Sequence, residues 1–275
     1  MLEQGGNDVP SLRPHLLLWR VINKPKGELG MSKAASMLFA VVAYAIFFAT
    51  FLYLIAFVGN FGLVPVTIDH GPASPLAVAV VVDLALIAVF GLQHSIMARQ
   101  GFKKAWTRIV PKPAERSVYV LAASVALMIL FAFWRPITGT VWNADGALAT
   151  VLLALFGIGW LIVLLTTFLI NHFELFGLQQ AWFNMRGRAE AAPQFRQPLF
   201  YRVVRHPLYA GFFLAFWATP RMSYGHLLLA LGMSAYMLIA IRYEERDLVG
   251  VFGKDYEDYR GRVGMLTPRM GRRAA

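Results

Sequence analysis

The run Arg205-His206-Pro207-Leu208-Tyr209-Ala210-Gly211 has the residue types of a ligand-gripping turn. Pro207 suits the first helical position, where a missing N–H costs nothing, and that puts His206 near the N-cap. The free N–H groups and the positive dipole end of such a helix suit an anionic group such as a carboxylate. Arg202 and His206, like Tyr201 and Arg205, are spaced to share a face if the helix starts earlier. The same residues would also serve as a basic membrane anchor with a proline break. A second group, Arg242-Tyr243-Glu244-Glu245-Arg246-Asp247, holds two adjacent carboxylates after an apolar stretch. A carboxylate there can accept from both hydroxyls of a ribose, or attract a cation. Phe252, Tyr256 and Tyr259 fall on one face of a short helix, able to cover a ligand or simply to pack.

Two further groups flank apolar stretches. Asn171-His172-Phe173-Glu174 places Asn171 and Glu174 on a shared face. Gln93 and His94 end another stretch, and Asp83 lies about three turns before His94 on the same side. Ionisable groups inside a span usually face a bundle interior and are functional candidates; a helix-to-helix hydrogen bond is the plainer role for Asp83. A metal site is not expected: the six histidines are scattered and no HExxH spacing occurs. There is no cysteine, so no thiolate nucleophile, and neither GxGxxG nor GxxxxGK is present.

The elements that must position these groups are membrane helices. The chain has 275 residues, 58% hydrophobic and 15% charged, which is too apolar for an ordinary soluble domain. Ser36–Val58 runs 23 residues without a charge. Residues 76–97, 118–133 and 147–170 are further spans; 208–219, followed by Pro220, and 224–241 read as a helical hairpin, the first member short for a crossing. Backbone in lipid must satisfy its own hydrogen bonds, so all should be helical. All but two of the 26 Lys and Arg residues, Arg135 and Arg221, fall on one side if the spans alternate. The positive-inside rule then puts both termini in the cytoplasm. It also assigns the net charge of +11 to anionic lipid headgroups, with no nucleic-acid partner. His15–Trp19, between Arg13 and Arg20, has the makings of an interfacial helix or of a tail.

The expected fold is an all-α polytopic bundle of five to six transmembrane helices with a cytoplasmic C-terminal cofactor pocket. The expected organisation is a cytoplasmic tail over 1–35, four membrane helices with their loops over 36–197, and a C-terminal core over 198–275.

Taken in order, RHPLYAG at 205–211, the hairpin, EERDL at 244–248 and FGKDYEDY at 252–259 resemble the C-terminal core of the isoprenylcysteine carboxyl methyltransferase superfamily. The tail VGMLTP at 263–268 departs from that pattern in lacking a Val-Pro. GLQHSIMAR at 91–99, KPAERSVYVL at 112–121, FWRPI at 133–137 and NHFELFGLQQ at 171–180 narrow the match. They resemble the bacterial membrane methanethiol S-methyltransferases, relatives of the NnrU-like proteins.

The resemblance implies an inner-membrane enzyme methylating a small thiol, methanethiol to dimethyl sulfide, with S-adenosylmethionine as cofactor and membrane lipids around it. It implies a cofactor pocket in which Arg205, His206, Pro207, Leu208, Tyr209 and Gly211 lie near the methionine portion and adenine. Glu244 and Glu245 would hold the ribose or amino group, and Tyr256 would close the lid. Direct transfer needs an ionised thiol; His94, His172 and Glu174 are the candidate bases and Arg202 the candidate thiolate stabiliser. A prenylcysteine carboxylate or lipid amine as acceptor, an NADPH-dependent membrane reductase, and a non-enzymatic transporter or regulator are the competing readings.

Overall fold

The computed structural model describes residues 31–189 and 194–269. The segment His15–Trp19 lies outside the described residues. Among the described residues, five helices are long and apolar enough to cross a membrane: α1 (Lys33–Val58), α2 (Leu76–Ala98), α4 (Lys112–Phe133), α5 (Gly146–Ile170) and α9 (Tyr224–Phe252). Between and after them come α3 (Gln100–Trp106), α6 (His172–Leu175), α7 (Leu178–Arg186), a 3₁₀ turn (Leu199–Arg202), α8 (Pro207–Trp217) and α10 (Lys254–Arg262). The chain is a polytopic helical membrane protein. Leu161, Leu165 and Phe168 on α5 are 52%, 42% and 55% exposed, an outward apolar face suited to lipid.

Local chemistry sets the helix ends. Ser32 caps α1, its hydroxyl accepting from the Ala35 N–H at 3.1 Å. Pro75 and Pro111 stand just before α2 and α4. Pro207 opens α8, as its fixed φ favours.

Three boundaries differ from the sequence reading. α4 starts at Lys112, not 118, because a helix continues through Lys112–Arg116 once a charged turn stands outside the lipid. α9 runs 29 residues to Phe252, so Glu244 and Glu245 ride on the same rod as the span. α8 has 11 residues, about 16 Å at the α-helical rise, and cannot cross a bilayer alone. Neither Arg202 and His206 nor Tyr201 and Arg205 share a helical face, since 203–206 are not helical.

At the end of the bundle away from the Arg-His-Pro turn, β1 (Thr140–Asn143) pairs antiparallel with β2 (Arg221–Ser223). That short ribbon, and the Trp142 indole donating to the Thr219 carbonyl at 3.0 Å, tie down the turn that lets α8 reverse into α9. Trp134 is fully buried and donates to the Ile68 carbonyl at 3.0 Å.

α1 and α2 pack on α4, and α8 packs along α5. α9 touches α2 and α8 and so bridges the two groups. The α5–α8 contact depends on Gly159 and Gly211. A Cβ on Gly211 would stand 2.8 Å from the Gly159 carbonyl oxygen, and one on Gly159 2.8 Å from that of Gly211. Small residues here let two backbones meet.

Candidate active site

The Arg-His-Pro turn and the Glu pair meet. Arg205 Nε donates to Glu245 Oε1 at 2.8 Å, and His206 Nε2 lies 3.1 Å from the same oxygen. An ionised carboxylate only accepts, so His206 carries its proton on Nε2. The Arg205 and Glu245 side chains are 11% and 12% exposed. The C-terminal tail locks the turn from the other side. Arg205 N donates to the Gly264 carbonyl at 2.8 Å and His206 N to that of Met265 at 3.1 Å. The Arg205 guanidinium also donates to the Val263 and Arg260 carbonyls. Val204 and Gly264 form a parallel bridge.

Glu245 Oε1 is therefore engaged twice, whereas Glu244 is exposed. The Glu244 carboxylate stands within electrostatic reach of the phenols of Tyr119, Tyr201, Tyr209, Tyr236 and Tyr256. Gly253, at φ +55°, breaks the chain between α9 and α10. The break turns Tyr256 and Tyr259 inward, each 2% exposed, against Phe195. Tyr259 donates to the Tyr201 carbonyl at 2.6 Å. The buried Tyr256 hydroxyl has no partner among the described residues. Burial, and then the Glu245 and Glu244 carboxylates, push its pKa upward, so it remains a hydrogen-bond donor. Burial likewise pushes Tyr259 up to about 12. An orphaned donor, an exposed carboxylate and a helix N-terminus side by side fit a ligand with carboxylate, ammonium and hydroxyl groups.

Beside this constellation lies a cavity of about 240 Å³. Its end nearest the Arg-His-Pro turn is lined by Arg116, Tyr119, His94, His172, Tyr209 and Tyr236, and its deep end by Leu54, Leu127, Leu130, Phe216, Leu229 and Met233. The two histidines differ. Thr167 gives its proton to the Leu164 carbonyl at 2.7 Å, so towards His172 Nδ1, 2.8 Å away, it accepts. Nδ1 therefore carries the hydrogen and Nε2 accepts from Tyr44 O–H at 2.8 Å. Burial lowers the His172 pKa, which agrees with a neutral ring with both nitrogens occupied. His94 bonds Tyr119 through Nε2 at 2.7 Å, while its Nδ1 is buried without a partner among the described residues.

The other sequence candidates fall elsewhere. Glu174 is exposed and works locally: its N–H donates to Asn171 Oδ1 at 3.3 Å, and its carboxylate accepts from Asn171 Nδ2 at 2.9 Å. Arg202 is exposed and donates to the Gln197 carbonyl at 3.3 Å. Neither lines the cavity. Gly211 is buried against Gly159 rather than turned to a ligand. Pro207 is buried; Leu208 and Tyr209 line the cavity. Asp83 accepts from the Arg135 N–H at 2.9 Å, away from the cavity.

Arg116 and Tyr119 were missed from sequence. Arg116 donates to the Leu175 carbonyl at 2.7 Å, and its guanidinium lies 5.0 Å from the Tyr119 ring centroid. Their spacing of three, at the charged start of an apolar stretch, was the available signal. It was hidden because α4 seemed to begin after them. The turn that delivers His172 rests on α4 through Gly177, at φ +89°, whose missing Cβ leaves room for Ser117.

Several curated proteins are similar to this chain. Methanethiol S-methyltransferase 2 of Bradyrhizobium diazoefficiens is 48% identical over 239 residues, 87% of this chain and 92% of the relative. Methanethiol S-methyltransferase of Mycobacterium tuberculosis is 49% identical over 239 residues, 86% of this chain and 98% of the relative. Nurim of Xenopus laevis is more distant, 29% identical over 175 residues, 60% of this chain and 61% of that protein. No family model matches the chain, and no solved structure gives a significant match.

Proposed function

The chain belongs to the methanethiol S-methyltransferase family, and from that premise we propose that it methylates methanethiol to dimethyl sulfide with S-adenosylmethionine. We assign the reaction to the cytoplasmic face of a bacterial inner membrane, with both chain termini on that side. The observation that carries the reading is the meeting of Arg205 and His206 with Glu245, beside an exposed Glu244 and directly before Leu208 and Tyr209 of the apolar cavity wall.

S-adenosylmethionine supplies an electrophilic methyl group on a positively charged sulfur. The first-turn N–H groups of α8, at Leu208 and Tyr209, suit its carboxylate. Glu244 and the Tyr256 hydroxyl suit its amino and ribose groups. The Tyr119, Tyr209 and Tyr236 rings offer π-faces to the sulfonium. Glu245 does not touch the ligand in this scheme; it positions Arg205 and His206.

Methanethiol is small and apolar and partitions into the cavity's cytoplasmic half. A thiol with a pKa of about 8.5 or above is only a few per cent ionised at neutral pH. In this scheme His94 Nε2–H donates to Tyr119, and Nδ1, without a partner among the described residues, accepts the thiol proton. His172 has no free nitrogen and serves to hold Tyr44 and Thr167. Arg116, behind the Tyr119 ring, adds a positive field that favours thiolate. Bound S-adenosylmethionine would supply the methyl group to the thiolate and would keep the electrons of the broken C–S⁺ bond on its own sulfur. The apolar walls exclude water and fix the in-line geometry.

The test uses the full chain in detergent with methanethiol and S-adenosylmethionine, reading headspace dimethyl sulfide. Titrations with S-adenosylhomocysteine and NADPH run beside it. Binding of S-adenosylhomocysteine with product release supports the reading. NADPH binding without product points to a reductase. His94→Ala should lower turnover by about 10²-fold with little change in S-adenosylhomocysteine affinity; unchanged turnover removes His94 as the base.

A further inference from the structure

The cavity is deeper than a two-heavy-atom acceptor needs. Along α4 its walls run from Arg116 to Leu130, about 21 Å at the α-helical rise. The reacting sulfur belongs near His94 and Tyr119, at the cytoplasmic end. Beyond Ser124 the lining is Leu54, Leu127, Leu130, Phe216, Leu229 and Met233, all apolar. Ser124 itself gives its proton to the Val120 carbonyl at 2.9 Å, leaving nothing to recognise a polar group. Arg116, the cation on the wall, lies at the opposite end. The volume of about 240 Å³ exceeds the roughly 150 Å³ at which a dry, apolar protein cavity already accepts benzene.

We infer that the protein also methylates bulkier apolar thiols, such as butanethiol, hexanethiol and thiophenol, with their tails in this deep half. The inference rests on the thiol-methylating reading above and adds its substrate class. The chemistry is unchanged and balances. The S–H proton passes to His94, and the sulfur lone pair forms the bond to the transferred methyl. The methyl–sulfonium pair returns to the donor sulfur, and an alkyl or aryl methyl thioether leaves. Each methylene moved from water into the deep end strengthens acceptor binding, by up to roughly fourfold. A charged tail, as in 2-mercaptoethanesulfonate, would be buried there without a counter-ion and is excluded.

The experiment offers methanethiol, hexanethiol, thiophenol and 2-mercaptoethanesulfonate separately to the full-length protein with labelled S-adenosylmethionine. The expected result is labelled thioether from the first three and none from the sulfonate. Methanethiol turnover alone, or equal turnover of the sulfonate, overturns the inference while leaving the proposed function standing. Turnover of none overturns both. A second readout needs no methyl donor: thioanisole should raise the unfolding temperature of the wild type and not of Leu229→Phe, whose larger ring fills the deep end. Leu229→Phe should also lower the thiophenol-to-methanethiol turnover ratio by about tenfold. Met233→Phe is the parallel variant should Leu229→Phe fail to fold. An unchanged ratio and an unchanged thioanisole shift in a folded variant place the tail elsewhere and overturn the inference.

Discussion

A carboxylate oxygen that accepts from a guanidinium at 2.8 Å and an imidazole at 3.1 Å has little capacity left for a ligand. Glu245 Oε1 is in that position; the carboxylate of Glu244, its chain neighbour, carries no such pair. Removing one partner of a nearly buried pair leaves the other charge unpaired, at a cost of about 3 kcal/mol. Glu245→Ala should therefore lower the unfolding temperature in detergent, and Glu244→Gln should leave it within a degree or two while weakening S-adenosylhomocysteine binding. If the two variants exchange these behaviours, the division of labour is wrong. His172 allows a pH test. Burial lowers its folded pKa below the unfolded value of about 6.5. Its contribution to stability is complete above that unfolded pKa and is lost as pH falls through the folded one. Unfolding temperature should drop on acidification from pH 7, and His172→Gln should flatten that slope.

The helices carry these residues to one place through a few close approaches. α8 is too short to hold itself in lipid and depends on its backbone contact with α5. Gly211→Val would push branched methyls into the Gly159 carbonyl, which a Cβ alone would meet at 2.8 Å. Overpacking of this kind typically costs 1–3 kcal/mol. It also tilts the helix whose first turn holds Leu208 and Tyr209. The variant should lose thermal stability and S-adenosylhomocysteine affinity together. Retained affinity with full stability would show that the helices have slack at this point.

For the whole molecule, the charge distribution and the alternation of helices make a prediction about sidedness. Arg135 and Arg221 belong to the end that carries β1 and β2; the other basic residues among the described ones belong to the opposite helix ends and the loops there. A fluorescent protein fused after Ala275 should be bright in a bacterial host, since it folds in the cytoplasm. Alkaline phosphatase fused after Leu63, in the loop between α1 and α2, should be active, since it needs the periplasm. The opposite pair of results would invert the orientation and move the candidate site to the outer face.

The residue string by itself determined the membrane-helical class, the sidedness bias and the Arg-His-Pro and Glu-Glu groups. Those depend on local properties: run length without charge, helix-breaking proline, and the count of basic residues per loop. Fold position decided what those properties cannot. Which glutamate is engaged depends on a rotation along α9 that adjacent positions do not reveal. The free nitrogen of His94 and the occupied ring of His172 follow from partners 25 and 128 residues away in sequence. Arg116 and Tyr119 joined the cavity because α4 extends past the lipid, an extension that an apolar-run criterion cuts short. Glu174 and Arg202 bear suitable groups but face away, because side-chain direction at a helix end is set by the cap and the packing around it.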